Sequence, residues 1–309
     1  MYYPTRILLL DGVFSMAINP MRIMLILPSE LITEDISKSY EQYGRMQVAQ
    51  NKNRFRGVIN LPPLGLMYLA APLAEAGHKV MILDAPTLQL TNGEICQEAL
   101  AFKPDIIGIS FYSMFIRVVH QLTGLLKRNL NVPIILGGPH PTVMPEKVFE
   151  EFSDVDFLFR GLGEFSIQHF VEMLQGQTKV EDVLGLAYRE NDLIRMNPQA
   201  DLPENEDDIP LPYRAPLCEI YDHHLYFNIM SNRKNMDVLL TSRNCLFRCN
   251  FCFQHGTYFE HSPNRVLKEI REMVNRGINA IEIMDDSFTL NRKRFDAIID
   301  QIISNRSQA

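Results

Sequence analysis

Cys245-Leu-Phe-Arg-Cys249-Asn-Phe-Cys252 places three thiols within eight residues, directly after the apolar run Val238-Leu239-Leu240. Thiolates this close can converge on one soft metal centre, and an iron–sulfur cube held by only three of them keeps one iron open to a further ligand. Three of the chain's five cysteines fall in this octet, which argues against incidental loop thiols. Zinc is the competing reading, because His255 follows Cys252 after two residues and would complete a closed Cys3His set of the structural kind. Cys96 falls within a helical pattern, as a small apolar residue would, and Cys218 stands alone.

Around this octet the composition is that of a globular chain. It has 309 residues, of which 46% are hydrophobic and 22% charged, enough for two domains. A net charge of −7 gives no basic footprint for nucleic acid. The run Ile7-Leu8-Leu9-Leu10 is too short to cross a bilayer and lacks a signal-peptide layout. Residues 1–20 therefore read as an extension ahead of Met21, and the chain as one without a membrane span. Clustered cysteines in odd number, with no disulfide framework, point to a reducing cytoplasm.

Upstream of the octet, strand-like and helical runs alternate. Arg22-Ile-Met-Leu-Ile-Leu27 is an apolar run of strand length, as in a strand covered on both faces. Ser29 to Asn60 is polar and aperiodic, a long loop of the sort that is usually functional or disordered. A helix over Leu64 to Ala76 closes at Gly77, followed by a strand at Lys79–Asp84, a helix from a cap at Asn92 to Phe102, a strand at Asp105–Ser110 and a helix over Ile116 to Arg128. Val132–Leu136 and Asp156–Phe159 are further strands, with helices over Pro145 to Phe152 and up to Gln175. Five such strands describe a doubly wound parallel α/β sheet whose ligand lies beyond the strand carboxyl ends. There the glycines collect: Asn60-Leu-Pro62-Pro-Leu-Gly65, Ser110 with Tyr112, Gly137-Gly138-Pro139-His140 and Gly161-Leu-Gly163-Glu164. Glycine at such ends lets backbone approach a bulky ligand. Gly185–Arg189 and Leu193–Met196 read as an edge hairpin, and the five prolines between Asn197 and Pro216 as an extended linker.

The Cys-x3-Cys-x2-Cys spacing, with Phe251 before the last cysteine, resembles the signature of radical S-adenosylmethionine (SAM) enzymes. The resemblance implies that Cys245, Cys249 and Cys252 hold a [4Fe–4S] cluster whose fourth iron is chelated by SAM, and that reduction by an external flavodoxin- or ferredoxin-type donor cleaves SAM to a 5′-deoxyadenosyl radical. The glycine loops resemble those of the cobalamin-binding, flavodoxin-like domain found ahead of many such enzymes. It implies cobalamin contacts from Pro62, Gly65, Ser110, Tyr112, Gly137, Gly138, Pro139, His140, Gly161, Gly163 and Glu164. His140 would touch the corrin or serve only as a loop histidine. The Asp-x-His-x-x-Gly part of the classical cobalamin fingerprint is absent, so no histidine from that loop is expected under the cobalt. Downstream, Asp285-Asp286-Ser-Phe-Thr289 resembles the segment this branch carries at the second barrel strand. Phe251, Asp285 and Asp286 are then the expected SAM contacts, an acid there accepting from the SAM ammonium unless it merely caps the next helix.

The expected organisation is an extension over residues 1–20, a cobalamin-binding domain over 21–196, a proline-rich linker over 197–235 and the first two β–α units of a partial radical SAM barrel over 236–309. That is less than a barrel needs, so this stretch is expected to be a truncated form, inactive by itself. The expected activity of the intact form is SAM cleavage for methyl transfer to an unactivated carbon of a small molecule, or a related rearrangement or cyclisation. The alternative is a corrinoid carrier or sensor with a zinc-bound tail. Residues 21–196 are expected to bind cobalamin alone, and Gly138→Trp to weaken that binding without unfolding the domain. Cys245→Ala, Cys249→Ala and Cys252→Ala should each abolish bound iron and acid-labile sulfide after anaerobic reconstitution, whereas Cys96→Ala and Cys218→Ala should not; a full cluster in any of the first three would remove the assignment.

Overall fold

The computed structural model describes residues 19–29, 59–191, 193–200, 203–228, 233–252 and 257–306. The expected extension up to residue 18, the loop over 30–58 and His255 lie outside them. Strands β1 (Arg22–Leu27), β2 (Lys79–Asp84), β3 (Ile106–Ser110), β4 (Ile134–Gly137) and β5 (Phe157–Phe159) alternate with helices α1 (Leu64–Glu75), α2 (Asn92–Phe102), α3 (Ile116–Asn129) and α4 (Pro145–Glu151). Helix α5 (Ile167–Leu174) precedes the hairpin β6 (Leu186–Glu190) and β7 (Leu193–Met196). The sheet order is β2-β1-β3-β4-β5-β6-β7. Its first five strands are parallel, and the hairpin extends it antiparallel.

Successive strand residues feed opposite cores, as the pleat requires. Ile23 and Leu25 of β1 pack with Leu66 and Met67 of α1 and with Ile167 and Phe170 of α5. Met24 and Ile26 pack with Ile95 of α2, Leu122 of α3 and Phe149 of α4. Cys96 is buried in that second core. Gly77 takes φ +86° just beyond α1, the left-handed turn that glycine adopts without a Cβ penalty. Helix α2 departs from expectation at its start: Thr91 is the cap, in a reciprocal box with Glu94, while Asn92 is buried and donates to the Val118 carbonyl at 3.1 Å.

The second unit pairs β8 (Met236–Leu239) in parallel with β9 (Ala280–Ile283), covered by α6 (Pro263–Asn275) and α7 (Arg292–Arg306). The stretch expected to be an extended linker is instead packed. Arg214 is fully buried, donates to Asp237 on β8, and reaches Glu269 on α6 at 2.8 Å. Arg265, one turn before Glu269, bonds that carboxylate at 2.9 Å and the Ile209 carbonyl at 3.1 Å. Two cations and two anions thus neutralise one another out of water. Burial works against the Arg214 charge, but Asp237 and Glu269 more than offset it and hold the guanidinium protonated. Farther on, the Tyr226 hydroxyl bonds the buried Asp84 at the end of β2 at 2.9 Å, and Phe227–Asn228 pairs with Ile59–Asn60.

Removing one partner of such a network leaves a buried charge uncompensated, at a cost of about 3–5 kcal/mol. Arg214→Met should therefore lower the urea-unfolding free energy by about that amount. A loss under ~1 kcal/mol, the range of exposed ion pairs, would show that the network does not hold the 206–222 stretch in place.

Candidate functional site

At the carboxyl ends of β1, β3, β4 and β5 the sheet opens into a cavity of about 220 Å³. Its floor is apolar: Leu25, Gly108, Ile135 and Phe159 of the strands face Leu66 and Leu69 of α1. Its rim is Gly65, Ser110, Gly137, Gly138, Gly161, Gly163 and Glu164. Side chains would close this space. A Cβ on Gly163 would stand 2.9 Å from Leu69 Cδ2, and one on Gly108 equally close to Leu25 Cδ2. Gly138 takes φ +91°, and a Cβ there would meet Ser110 Oγ at 2.5 Å and the Phe111 backbone nitrogen at 2.9 Å. Gly138 is thus required by the loop's own path. The expectation that Gly138→Trp leaves the domain intact is therefore corrected.

Pro62, Tyr112, Pro139 and His140 do not line the cavity. Tyr112 is exposed and Pro62 buried. His140 is buried behind the rim, its Nδ1 sharing a 2.8 Å hydrogen bond with Ser113 Oγ and its ring 5.3 Å from that of Phe111. Burial lowers its pKa. Two participants escaped the sequence reading. Gly108, inside the run Ile106-Ile-Gly-Ile-Ser110, carried the signal that a mid-strand glycine carries, a close approach by something else. Arg243 carried none.

Arg243 forms the cavity wall contributed by the second unit. It lies two residues before Cys245, in a two-residue strand with Ser242 that pairs with Phe259–Glu260. Its Nη1 donates to Glu164, with side-chain exposures of 11% and 7%. The guanidinium stacks 4.5 Å above the Tyr68 ring and 5.7 Å from that of Phe259. One contact therefore joins the Gly161–Glu164 loop to the root of the cysteine loop.

That loop is open. Cys245 is half-buried, Cys249 and Cys252 are exposed, and the Cys252 amide donates to the Cys249 carbonyl at 3.0 Å. Phe251 is 94% exposed. Among the described residues no three His, Cys, Asp or Glu side chains are drawn close enough to hold an ion; the match to a cluster lies in the donor set, three soft thiolates on one loop. The Asp285 carboxylate accepts from the Thr241 amide at 2.6 Å and from the Thr241 and Ser242 hydroxyls at 2.5 and 2.6 Å. It thereby ties the end of β9 to the end of β8, while Asp286 is exposed. His261 supports the same turn, its amide donating to the Thr241 carbonyl at 3.0 Å and its carbonyl accepting from Arg294 Nε at 2.8 Å.

Comparison with known proteins bears on this arrangement. Residues 59–171, which hold α1 through most of α5 and every glycine of the rim, match the B12 binding domain. An uncharacterized methyltransferase of Pyrococcus horikoshii is 36% identical over 239 residues, covering 75% of this chain and 50% of its own length. Cobalamin-dependent radical SAM proteins are among those the chain resembles. An anaerobic magnesium-protoporphyrin IX monomethyl ester cyclase of Synechocystis is 28% identical over 251 residues, 79% of this chain and 49% of the cyclase. The chain thus spans about half the length of these relatives. The cobalamin-dependent SAM radical enzyme OxsB, solved with aqua-cobalamin and SAM, superposes with a TM-score of 0.71 at 20% identity, over 92% of this chain and 37% of that one. The methyltransferase TsrM of Kitasatospora setae, solved with cobalamin and a [4Fe–4S] cluster, gives 0.68 at 15%, over 94% and 54%. At these identities the likeness is one of fold. No described helix is long and apolar enough to cross a membrane.

The buried His261 gives this chain a pH dependence. Burial first, then the neighbouring Arg265 and Arg243, lower its pKa from 6.5 to about 3, against an opposing pull from Asp207, 3.8 Å away. The unfolded chain therefore takes up this proton before the folded one, so the contribution is complete above pH ~6.5 and is lost as pH falls toward ~3. Between pH 6.5 and 5 the loss is about 2 kcal/mol. Urea midpoints at pH 7 and 5 should diverge in the native chain and converge in His261→Leu; an equal pH dependence in both would refute the assignment.

Proposed function

We propose that this chain is the corrinoid-binding and cluster-bearing part of a cobalamin-dependent radical SAM enzyme. The carrying observation is the shared wall: Arg243, next to the cysteine loop, closes the glycine-rimmed cavity of the B12-binding domain. The residues fit a corrinoid. Glycines at the strand ends leave a cradle that a Cβ would fill, and at about 220 Å³ the cavity is below the size of a typical whole-ligand pocket. It would hold one flat apolar part of the cofactor, such as its benzimidazole base, between the strand floor and Leu66 and Leu69 of α1.

Cys245, Cys249 and Cys252 would hold a [4Fe–4S] cluster. When bound, the cluster with SAM would supply reductive carbon–sulfur cleavage, and the corrinoid a transferable methyl group. The protein's part is placement. Asp285 fixes the Thr241–Ser242 turn from which the cysteine loop departs, and the exposed Asp286 and Phe251 would contact SAM. Methyl transfer to a carbon of a small molecule is the chemistry we favour, since the relatives include proteins named as methyltransferases; cyclisation is the related outcome. Electrons would come from a flavodoxin- or ferredoxin-type donor.

Gly65 offers a clean test, because it lines the cavity in the first turn of α1 and a Cβ there meets nothing within 4 Å. Titrated with hydroxocobalamin and followed by absorbance, the 309-residue chain should bind, and Gly65→Trp should bind roughly tenfold more weakly or worse with an unchanged far-ultraviolet circular dichroism spectrum. Absence of binding by the native sequence would sink the corrinoid reading, and an unaltered Kd in Gly65→Trp would sink its placement.

A further inference from the structure

Arg243 is paired on one side only. Its Nη1 is committed to Glu164, whereas Nε and Nη2 are buried with no hydrogen-bond partner. The Tyr68 ring lies beneath the guanidinium, 4.5 Å away, and the buried Tyr68 hydroxyl, which supports the Arg243 charge, makes no geometric hydrogen bond to Nε or Nη2. Buried donors are almost always paired in folded proteins, and those left open call for a missing acceptor. This side chain lines the cavity, whose other walls are apolar strand and helix residues and glycines, with Ser110 and Glu164 at the rim. The one anion on that wall, Glu164, is already engaged by Arg243 itself. A planar guanidinium with a free edge beside an apolar slot selects a ligand that is flat and greasy in one part and carries an oxygen acceptor beside it.

We infer that Arg243 is a corrinoid-binding residue, donating its Nε–H and Nη2–H groups to an oxygen of the cofactor, either a ring-edge amide carbonyl or the phosphate of the nucleotide tail. The inference rests on the corrinoid reading of the cavity. It also means that the B12-binding domain alone lacks one of its ligand contacts, because Arg243 lies outside residues 21–196. Corrinoid occupancy and the position of the cysteine loop, two residues on, are then linked through one side chain.

The test is a set of absorbance titrations on the full chain with hydroxocobalamin and with cobinamide, which lacks the phosphate and base. R243K keeps a positive charge opposite Glu164 but loses the fork, and its Kd for hydroxocobalamin should rise roughly ten- to hundredfold, the range of a lost charge-assisted hydrogen bond. The E164Q/R243M double variant removes both charges together, so no buried carboxylate is orphaned, and its Kd should be raised similarly. A rise confined to hydroxocobalamin assigns the acceptor to the phosphate, and a rise for both ligands to a ring amide. Native affinity in R243K, or in the folded double variant, overturns the inference while leaving the cavity assignment standing. Failure of the native chain to bind either ligand would instead remove the corrinoid reading itself.

Discussion

Parallel pairing is the constraint on which this molecule depends. Each of β1 to β5 must be re-entered from the same end, so every return crosses over a sheet face and every strand exits at one edge. With the order β2-β1-β3-β4-β5, the crossovers leave β1 to one side and β3 to the other, and a crevice opens where they part. The cavity lies there and runs on under β4 and β5. Gly108 deepens it by omitting a side chain from the floor, and α1 roofs it with Leu66 and Leu69.

Much of this was readable in the chain itself. The continuous apolar runs of β1 and β3 announce strands covered on both faces, and the glycines at Gly137–Gly138 and Gly161–Gly163 mark the ends where backbone must come close to something. The cysteine octet marked itself as a candidate metal-binding loop through its spacing. Helix α2 shows where a finer reading was available: Thr91 with Glu94 three positions on is the capping-box pattern, whereas Asn92, beside it, turns inward to the Val118 carbonyl.

What the sequence hid are contacts between distant charges. Glu164 and Arg243 are 79 positions apart, and although its glycine loop marked Glu164, no pattern marked Arg243 as its partner. Arg214 lies amid prolines and acids whose composition suggests an exposed linker, yet it is buried because Asp237 and Glu269 converge on it from two different elements. Composition reports average exposure and cannot report pairing. Asp285 is similar: its place after β9 was readable, but its engagement with Thr241 and Ser242 follows only from the parallel alignment of β8 with β9.

The clasp between Ile59–Asn60 and Phe227–Asn228 has a consequence in time. All seven strands of the main sheet lie before residue 197, so that layer can close while the chain is still being synthesised, amino-terminal part first. The Asn60 side chain, by contrast, bonds the carbonyl of Leu225, 165 positions away, and Tyr226 must reach back to Asp84. Such long-range closures come late, since loop entropy is lost before the contact forms. Arg243 follows them in the chain, so the cavity gains its charged wall after its apolar floor is already in place. Formation of the apolar floor and completion of its enclosure are consequently successive steps, ordered by the direction of synthesis.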